Sequence, residues 1–397
     1  MLLETSKVMQ SLTPPSDAKS KKQSHTAMPP QNSPAQKTTQ KDTPKKNMMA
    51  ARFYAPNDVR YERCDMPVPK EGELVVKVQA ALTCGTDLKC YRRGHPVLLK
   101  TLPSLFGHEF SGTVAAVGPG AVKNNALGSA FAVGDRVVCA NSAPCYACYY
   151  CHKGQTNLCD HLDLLNGAYA DYILIPKQIA QYNTYAVPET LDFEIAAFSE
   201  PLAVCLHGEA QAVIQPGDRV AVLGLGPIGQ LMAAVCVLKG AHVTAMARTE
   251  SKLELAKAFG QVHQVVHLRA MPDAAEIIKH YTPDARGFDV VIEAVGLPET
   301  WEKSLQLVRK GGRVNWFGGC PSGSTVSVDT RRVHYEQITL LSSFHHTPVQ
   351  FQKAVQLLAS GEIDAKQLIS ARQPLSQFES ALQQVEAGQA IKVALMP

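Results

Sequence analysis

The chain has 397 residues, 45% hydrophobic and 19% charged, which suits two or three globular domains with a sizeable core. Its net charge of +4 is unevenly placed: residues 1–50 carry eight Lys against three acids, while the rest holds 31 basic and 32 acidic residues. The body therefore lacks the basic excess of a nucleic-acid binder, and its most apolar stretch, Val220–Leu238, is broken by glycines, Pro227 and Gln230, so no membrane span is expected.

Residues 1–50 contain six Pro and neither aromatic residues nor Arg. Such a segment buries too little apolar surface to offset its ordering entropy, so a disordered N-terminal extension is expected. The opening MLLETSKVMQ has no apolar run of the export type, which points to a cytoplasmic chain. From Ala51 the texture changes. ELVVKVQAALT (73–83) alternates as a strand does, and GTVAAVG and DRVVCA repeat the pattern. Short strands bounded by Gly and Pro predict a partly open β-barrel through about residue 185.

Strands and helices then alternate. Strands are expected at 218–224, 242–247, 264–268, 288–296, 312–318 and 338–344, and helices at 227–240, 251–260, 274–281 and 299–308. That order predicts a parallel, doubly wound sheet over residues 186–344. From about His345, two amphipathic helices and the strand IKVALM are assigned back to the first domain, because six strands already fill the second.

Eleven cysteines in a long chain of this type suit metal binding better than a disulfide framework. Cys145, Cys148, Cys151 and Cys159 have the spacing C-x2-C-x2-C-x7-C within a lobe at about 141–160. Four thiolates can close a tetrahedron around Zn²⁺ and leave no place for water, as a structural zinc requires. A ferredoxin-type cluster would place three residues and then Pro at the last gap, whereas here the gap is seven and Asp160 follows. Elsewhere, Cys84 (TCGTDLK), His108 and Glu109 (FGHEFSG) and Glu200 (FSEPLAVCLHG) offer the mixed ligands of one catalytic zinc with an open position.

Gly224, Gly226 and Gly229 form G-x-G-x-x-G after a predicted strand, with Pro227 and Ile228 opening a helix. In that context the backbone can approach a dinucleotide pyrophosphate at a helix N-terminus. An acid that would hold an NAD ribose is missing about twenty residues on. Ala247 stands there, followed by Arg248 and Thr249, which favours NADP(H) over NAD(H). The alternative is a solvated Arg248 with Glu250 on the ribose.

In order, CGTD, GHE, the four-cysteine lobe, SEPLAVCLHG and VLGLGPIG resemble the zinc-dependent medium-chain alcohol dehydrogenases, in the polyol (sorbitol) and L-threonine dehydrogenase-like branch. The resemblance covers residues 51–397. It implies a GroES-like catalytic domain at 51–185 and 345–397 and a Rossmann domain at 186–344. It also implies two Zn²⁺ per chain, a small-molecule alcohol substrate and a homodimer or homotetramer. The implied reaction is NAD(P)-linked oxidation of a secondary alcohol (polyol, cyclitol or hydroxy-amino acid) by hydride transfer from a zinc-bound alkoxide. Cys84 and His108 become catalytic zinc ligands, Glu200 the third, and Glu109 a carboxylate that binds in some states. The two carboxylates are not expected to hold the ion together when substrate is bound. Thr86 would accept the alcohol proton. The relay histidine of the family is replaced by Lys89, so Lys89 or water must finish the step. His345, His346 and His207 are read as structural, the first two at the surface, and Asp87 as orienting the Cys84 loop. Two other readings remain: a zinc-independent enone or quinone reductase of the same fold, and a non-catalytic dinucleotide-binding protein.

Overall fold

The computed structural model describes residues 47–96, 98–99, 101–120 and 130–397. Residues 1–46 of the expected extension lie outside this range, but its last four do not. Asn47–Ala55 is a strand, so order begins before the expected boundary at 51. The reason is local: Met48 and Ala50 are buried beside Ala170, and the strand pairs antiparallel with Asp58–Asp65.

A seven-stranded sheet organises one half of the fold. Its path runs Ile369–Pro374, Lys392–Met396, Leu74–Leu82, Phe110–Val117, Arg136–Cys139 and Thr184–Ala186, with Tyr172–Ile175 pairing alongside Leu74–Leu82. Alternation explains the pairing: Val76 and Val78 are buried while Lys77 between them is exposed. Under the sheet lie Phe106, Phe110, Tyr169 and Phe378, all fully buried. The Phe106 and Tyr169 rings meet edge-on at 5.8 Å, a contact of about 0.5–1.5 kcal/mol beyond burial. Ile369–Pro374 was not anticipated. Its side chains alternate between half-buried and exposed, and it ends in Pro, as a polar edge strand does.

The other sheet has six parallel strands in the order Gln264–His267, His242–Ala247, Arg219–Leu223, Phe288–Glu293, Val308–Trp316, Thr339–Ser342. In chain order this is 3-2-1-4-5-6, which reverses beside Arg219–Leu223 and creates a crevice at the strand ends. Val220, Ala221, Val222 and Leu223 are fully buried, as a strand covered on both faces demands. Helix Pro348–Ser360 packs on helix Ser199–Ala212, and Phe351 stacks on Tyr185 at 5.6 Å, which ties the two halves together. Among the described residues, no helix is long and apolar enough to cross a membrane.

Candidate active site

The strand Leu74–Leu82 delivers Cys84 to the N-cap of helix Gly85–Arg93, where its sulfur accepts the Thr86 amide at 3.4 Å. His108 and Glu109 arrive from the other side through Gly107, whose φ of 87° is left-handed. A Cβ there would lie 2.3 Å from the Tyr169 ring, so only Gly lets the chain turn in. The Leu82 amide then donates to Glu109 O at 3.0 Å, which locks the two segments side by side.

The ligand atoms of Cys84, His108 and Glu109 lie within 4.8 Å of one another. His108 Nδ1 meets Asp87 Oδ1 at 2.9 Å, and Tyr169 Oη donates to Asp87 Oδ2 at 2.9 Å. The carboxylate thus holds the Nδ1 proton and leaves Nε2 as the ligand atom. Asp87 therefore orients His108, a more specific role than the expected support of the Cys84 loop. Burial pushes the His108 pKa down, yet Asp87 and Cys84 outweigh it and hold it well above its ordinary value. The site favours positive charge. Glu109 is 1% exposed: its Oε2 is paired with Lys392 Nζ, while its Oε1 is buried without a partner. Lys392 also donates to Thr83 O at 2.8 Å. An orphaned carboxylate oxygen, the Cys84 sulfur and the second ring nitrogen of His108, which gives up its proton to bind, are a donor set that fits zinc.

Glu200, the expected third ligand, is not in this group. It lies at the start of helix Ser199–Ala212, buried, and is gathered with His345 and His346. Burial pushes its carboxyl up to about 7, against the pull of His108. The expectation that His345 and His346 sit on the surface is corrected. His346 is 2% exposed and His345 half-buried, because their rings are hydrogen-bonded to the buried side chains of Asn141 and Ser142. Burial lowers the pKa of His345 to about 3 and that of His346 well below its ordinary value. Thr86 is half-buried and Lys89, one turn on, is exposed.

Lys392 and Asn141 had no sequence signal at all. Lys392 lies 283 positions from Glu109 in an apolar closing strand, and no spacing rule reaches that far.

His207 is buried with Nδ1 unpartnered, and burial lowers its pKa. The unfolded chain therefore binds a proton that the folded one refuses. Stability should be full above pH 6.5 and fall by up to about 1.4 kcal/mol per pH unit below it. His207→Gln should flatten that slope in urea unfolding at pH 5 and 7. An unchanged slope would show that the imidazole is protonated in the fold.

The four-cysteine lobe meets as spaced. The sulfurs of Cys145, Cys148, Cys151 and Cys159 lie within 4.8 Å of one another. Backbone amides point at them: Cys145 N and His161 N each donate to Cys159 Sγ at 3.3 Å, and Ala147 N donates to Cys145 Sγ at 3.4 Å. The Cys151 amide lowers the Cys148 thiol to about 6. Four sulfurs with amide donors fit a closed zinc site.

At the crevice, Gly224 has φ 99°, and a Cβ on Gly229 would lie 1.8 Å from Gly224 O. A Cβ on Gly226 meets nothing within 4 Å, so the turn is open where a pyrophosphate would approach. Pro227 starts helix Pro227–Leu238, and Ile228 packs on the core. Across the crevice, Glu293 Oε1 accepts Val295 N at 2.8 Å and Thr300 Oγ1 at 2.8 Å, which fixes the neighbouring turn. Ala247 ends its strand buried, and Arg248, Thr249 and Glu250 are exposed.

Comparison with known proteins agrees with this arrangement. A family model described as an alcohol dehydrogenase GroES-like domain matches residues 70–188, and one described as a zinc-binding dehydrogenase matches residues 227–360. Sorbitol dehydrogenase of Bacillus subtilis is 32% identical over 346 residues, 85% of this chain and 93% of that one. Erythritol/L-threitol dehydrogenase of Mycolicibacterium smegmatis is 32% identical over 366 residues, 88% of this chain and 98% of that one. A protein of Sinorhizobium meliloti 1021 solved with NADP bound aligns at TM-score 0.81 and 31% identity, covering 89% of this chain and all of that one.

Proposed function

Because the chain belongs to the zinc-dependent medium-chain alcohol dehydrogenases, in their polyol branch, and is thereby an oxidoreductase of CH–OH groups using zinc and a nicotinamide cofactor, we propose that it oxidises a secondary alcohol of a polyol, cyclitol or hydroxy-amino acid to the ketone. The observation that carries this is the group of half-buried Cys84 with buried His108 and Glu109, a donor set short of one member and biased towards a cation. Bound zinc would supply a Lewis acid that lowers the alcohol pKa, and a bound nicotinamide cofactor would supply the hydride acceptor.

The chain's own residues do the rest. Cys84, His108 through Nε2 and Glu109 through Oε1 would hold the ion. Glu200 is the alternative carboxylate, and charge argues against both binding with substrate present. Cys⁻ and one carboxylate neutralise Zn²⁺, whereas two carboxylates leave the site net negative and fill the open position. Asp87 keeps His108 in the ligating tautomer. The Thr86 hydroxyl would take the alcohol proton while giving up its own, which would pass either to a neutral Lys89, three residues on along the same helix, or to water. The four-cysteine lobe holds a second, structural zinc.

Arg248 favours NADP(H): the strand end carries a cation and Ala247 where NAD enzymes carry an acid. Ala247→Asp should raise the NAD-to-NADP ratio of kcat/KM by about 10–100-fold, the scale of one charge-assisted hydrogen bond. An unmoved ratio would place the 2′ position elsewhere. The reaction itself is tested by reduced-nicotinamide absorbance with both cofactors across polyols, cyclitols, L-threonine and simple secondary alcohols. Turnover of a polyhydroxylated or hydroxy-amino substrate supports the assignment, and turnover of simple secondary alcohols alone contradicts it.

A further inference from the structure

A second set of ligand atoms lies outside the Cys84 group. Those of Glu200, His345 and His346 are within 4.8 Å of one another. Each side chain is hydrogen-bonded to a buried neighbour. Asn141 Nδ2 donates to Glu200 Oε1 at 3.2 Å, and His346 Nε2 meets Asn141 Oδ1 at 3.1 Å. His345 Nε2 meets Ser142 Oγ at 2.5 Å. Asn141 and Ser142 are themselves buried. An amide oxygen can only accept, so His346 carries its proton on Nε2 and Nδ1 is a bare lone pair. That Nδ1 is buried without a partner, on a residue 2% exposed. Buried polar atoms are normally paired, and an exception asks for a reason.

The backbone supplies a second sign of construction. Neighbouring residues of an extended chain point to opposite faces. His345 has φ 62°, a left-handed conformation that costs energy for any residue but Gly. The turn brings its ring beside that of His346, with centroids 4.1 Å apart and planes 29° apart. Strain that aligns two imidazoles beside a carboxylate is the geometry of a ligand set. Each ring has one nitrogen hydrogen-bonded to a side chain, as metal-bound histidines do through the nitrogen that does not bind the metal.

We propose that Glu200, His345 and His346 form a second divalent-cation site beside the catalytic group. Two imidazoles and one carboxylate suit zinc and its transition-metal neighbours; Mg²⁺ or Ca²⁺ would need more oxygen. Three protein ligands leave positions for water. Filling the site retains Glu200 there, and Cys84, His108 and Glu109 keep the catalytic ion. The site does not depend on which alcohol is oxidised.

The test is metal stoichiometry on the untagged full chain, stripped and dialysed against buffered zinc. Wild type should reach three zinc per chain. His345→Gln and His346→Gln should each stop at two. Half-buried His345 is the variant least able to disturb folding. Cobalt gives an independent reading: the third Co²⁺ should add absorption without a sulfur-to-metal charge-transfer band, because no thiolate is present. Saturation of wild type at two, a third equivalent retained in His345→Gln, or a thiolate band on the third cobalt would each overturn the proposal.

Discussion

Replacing Cys84 by Ala is expected to lower kcat/KM for the alcohol by at least about 10³-fold and to remove one zinc per chain, leaving the four-cysteine lobe loaded. The size follows from what is lost. A single oriented donor at a reacting oxygen is worth about 10²–10³-fold, and a Lewis acid shifts the pKa of a bound oxygen much further. Cys84 also anchors geometry, since its sulfur caps helix Gly85–Arg93 through the Thr86 amide. Loss of that cap costs only about 1 kcal/mol, so the fold should survive and the activity should not. Metal analysis beside steady-state kinetics separates the two. Retained turnover with one zinc missing would detach the chemistry from this group.

Replacing Lys392 by Met should destabilise the protein by about 3–5 kcal/mol, because it strands Glu109 in a buried site without its counter-charge. Burial already pushes the Glu109 carboxyl up, and Lys392 opposes that push. Lys392 is held above its ordinary value because Glu109 and Cys84 outweigh the cost of burying the ammonium. A stranded carboxylate has two ways to be neutralised, a proton or the metal. The loss measured by urea unfolding should therefore be smaller with zinc present than after chelation. Lys392→Arg, which keeps the charge, should recover part of the loss. Equal losses with and without zinc would mean that Glu109 does not face the metal.

What the sequence made legible was local. The four-cysteine spacing and G-x-G-x-x-G each lie within a short segment, and the structure brings each together as spaced. Strands buried on both faces, such as Arg219–Leu223, announce themselves as continuous apolar runs. Expectations failed where the partner is distant or the pattern polar. Residues 47–50 read as part of a polar extension because the burial of Met48 and Ala50 comes from Ala170, about 120 positions on. His345 and His346 read as surface residues because their buried partners, Ser142 and Asn141, lie about 200 positions away. The resemblance ranks Glu200 ahead of Glu109 as third ligand, whereas the structure groups Glu109 with Cys84 and His108, since Lys392 and Asn141, which fix the two carboxylates, carry no motif.

The position of zinc tests the assignment of the catalytic group most directly. Anomalous diffraction at the zinc edge, from crystals of the full chain with NADP⁺ and alcohol, should show one peak among Cys145, Cys148, Cys151 and Cys159. A second peak should be bound by Cys84, His108 and one carboxylate, with the other carboxylate beyond about 2.2 Å. A second peak absent from Cys84 and His108, or held by Glu109 and Glu200 together with substrate present, would contradict it.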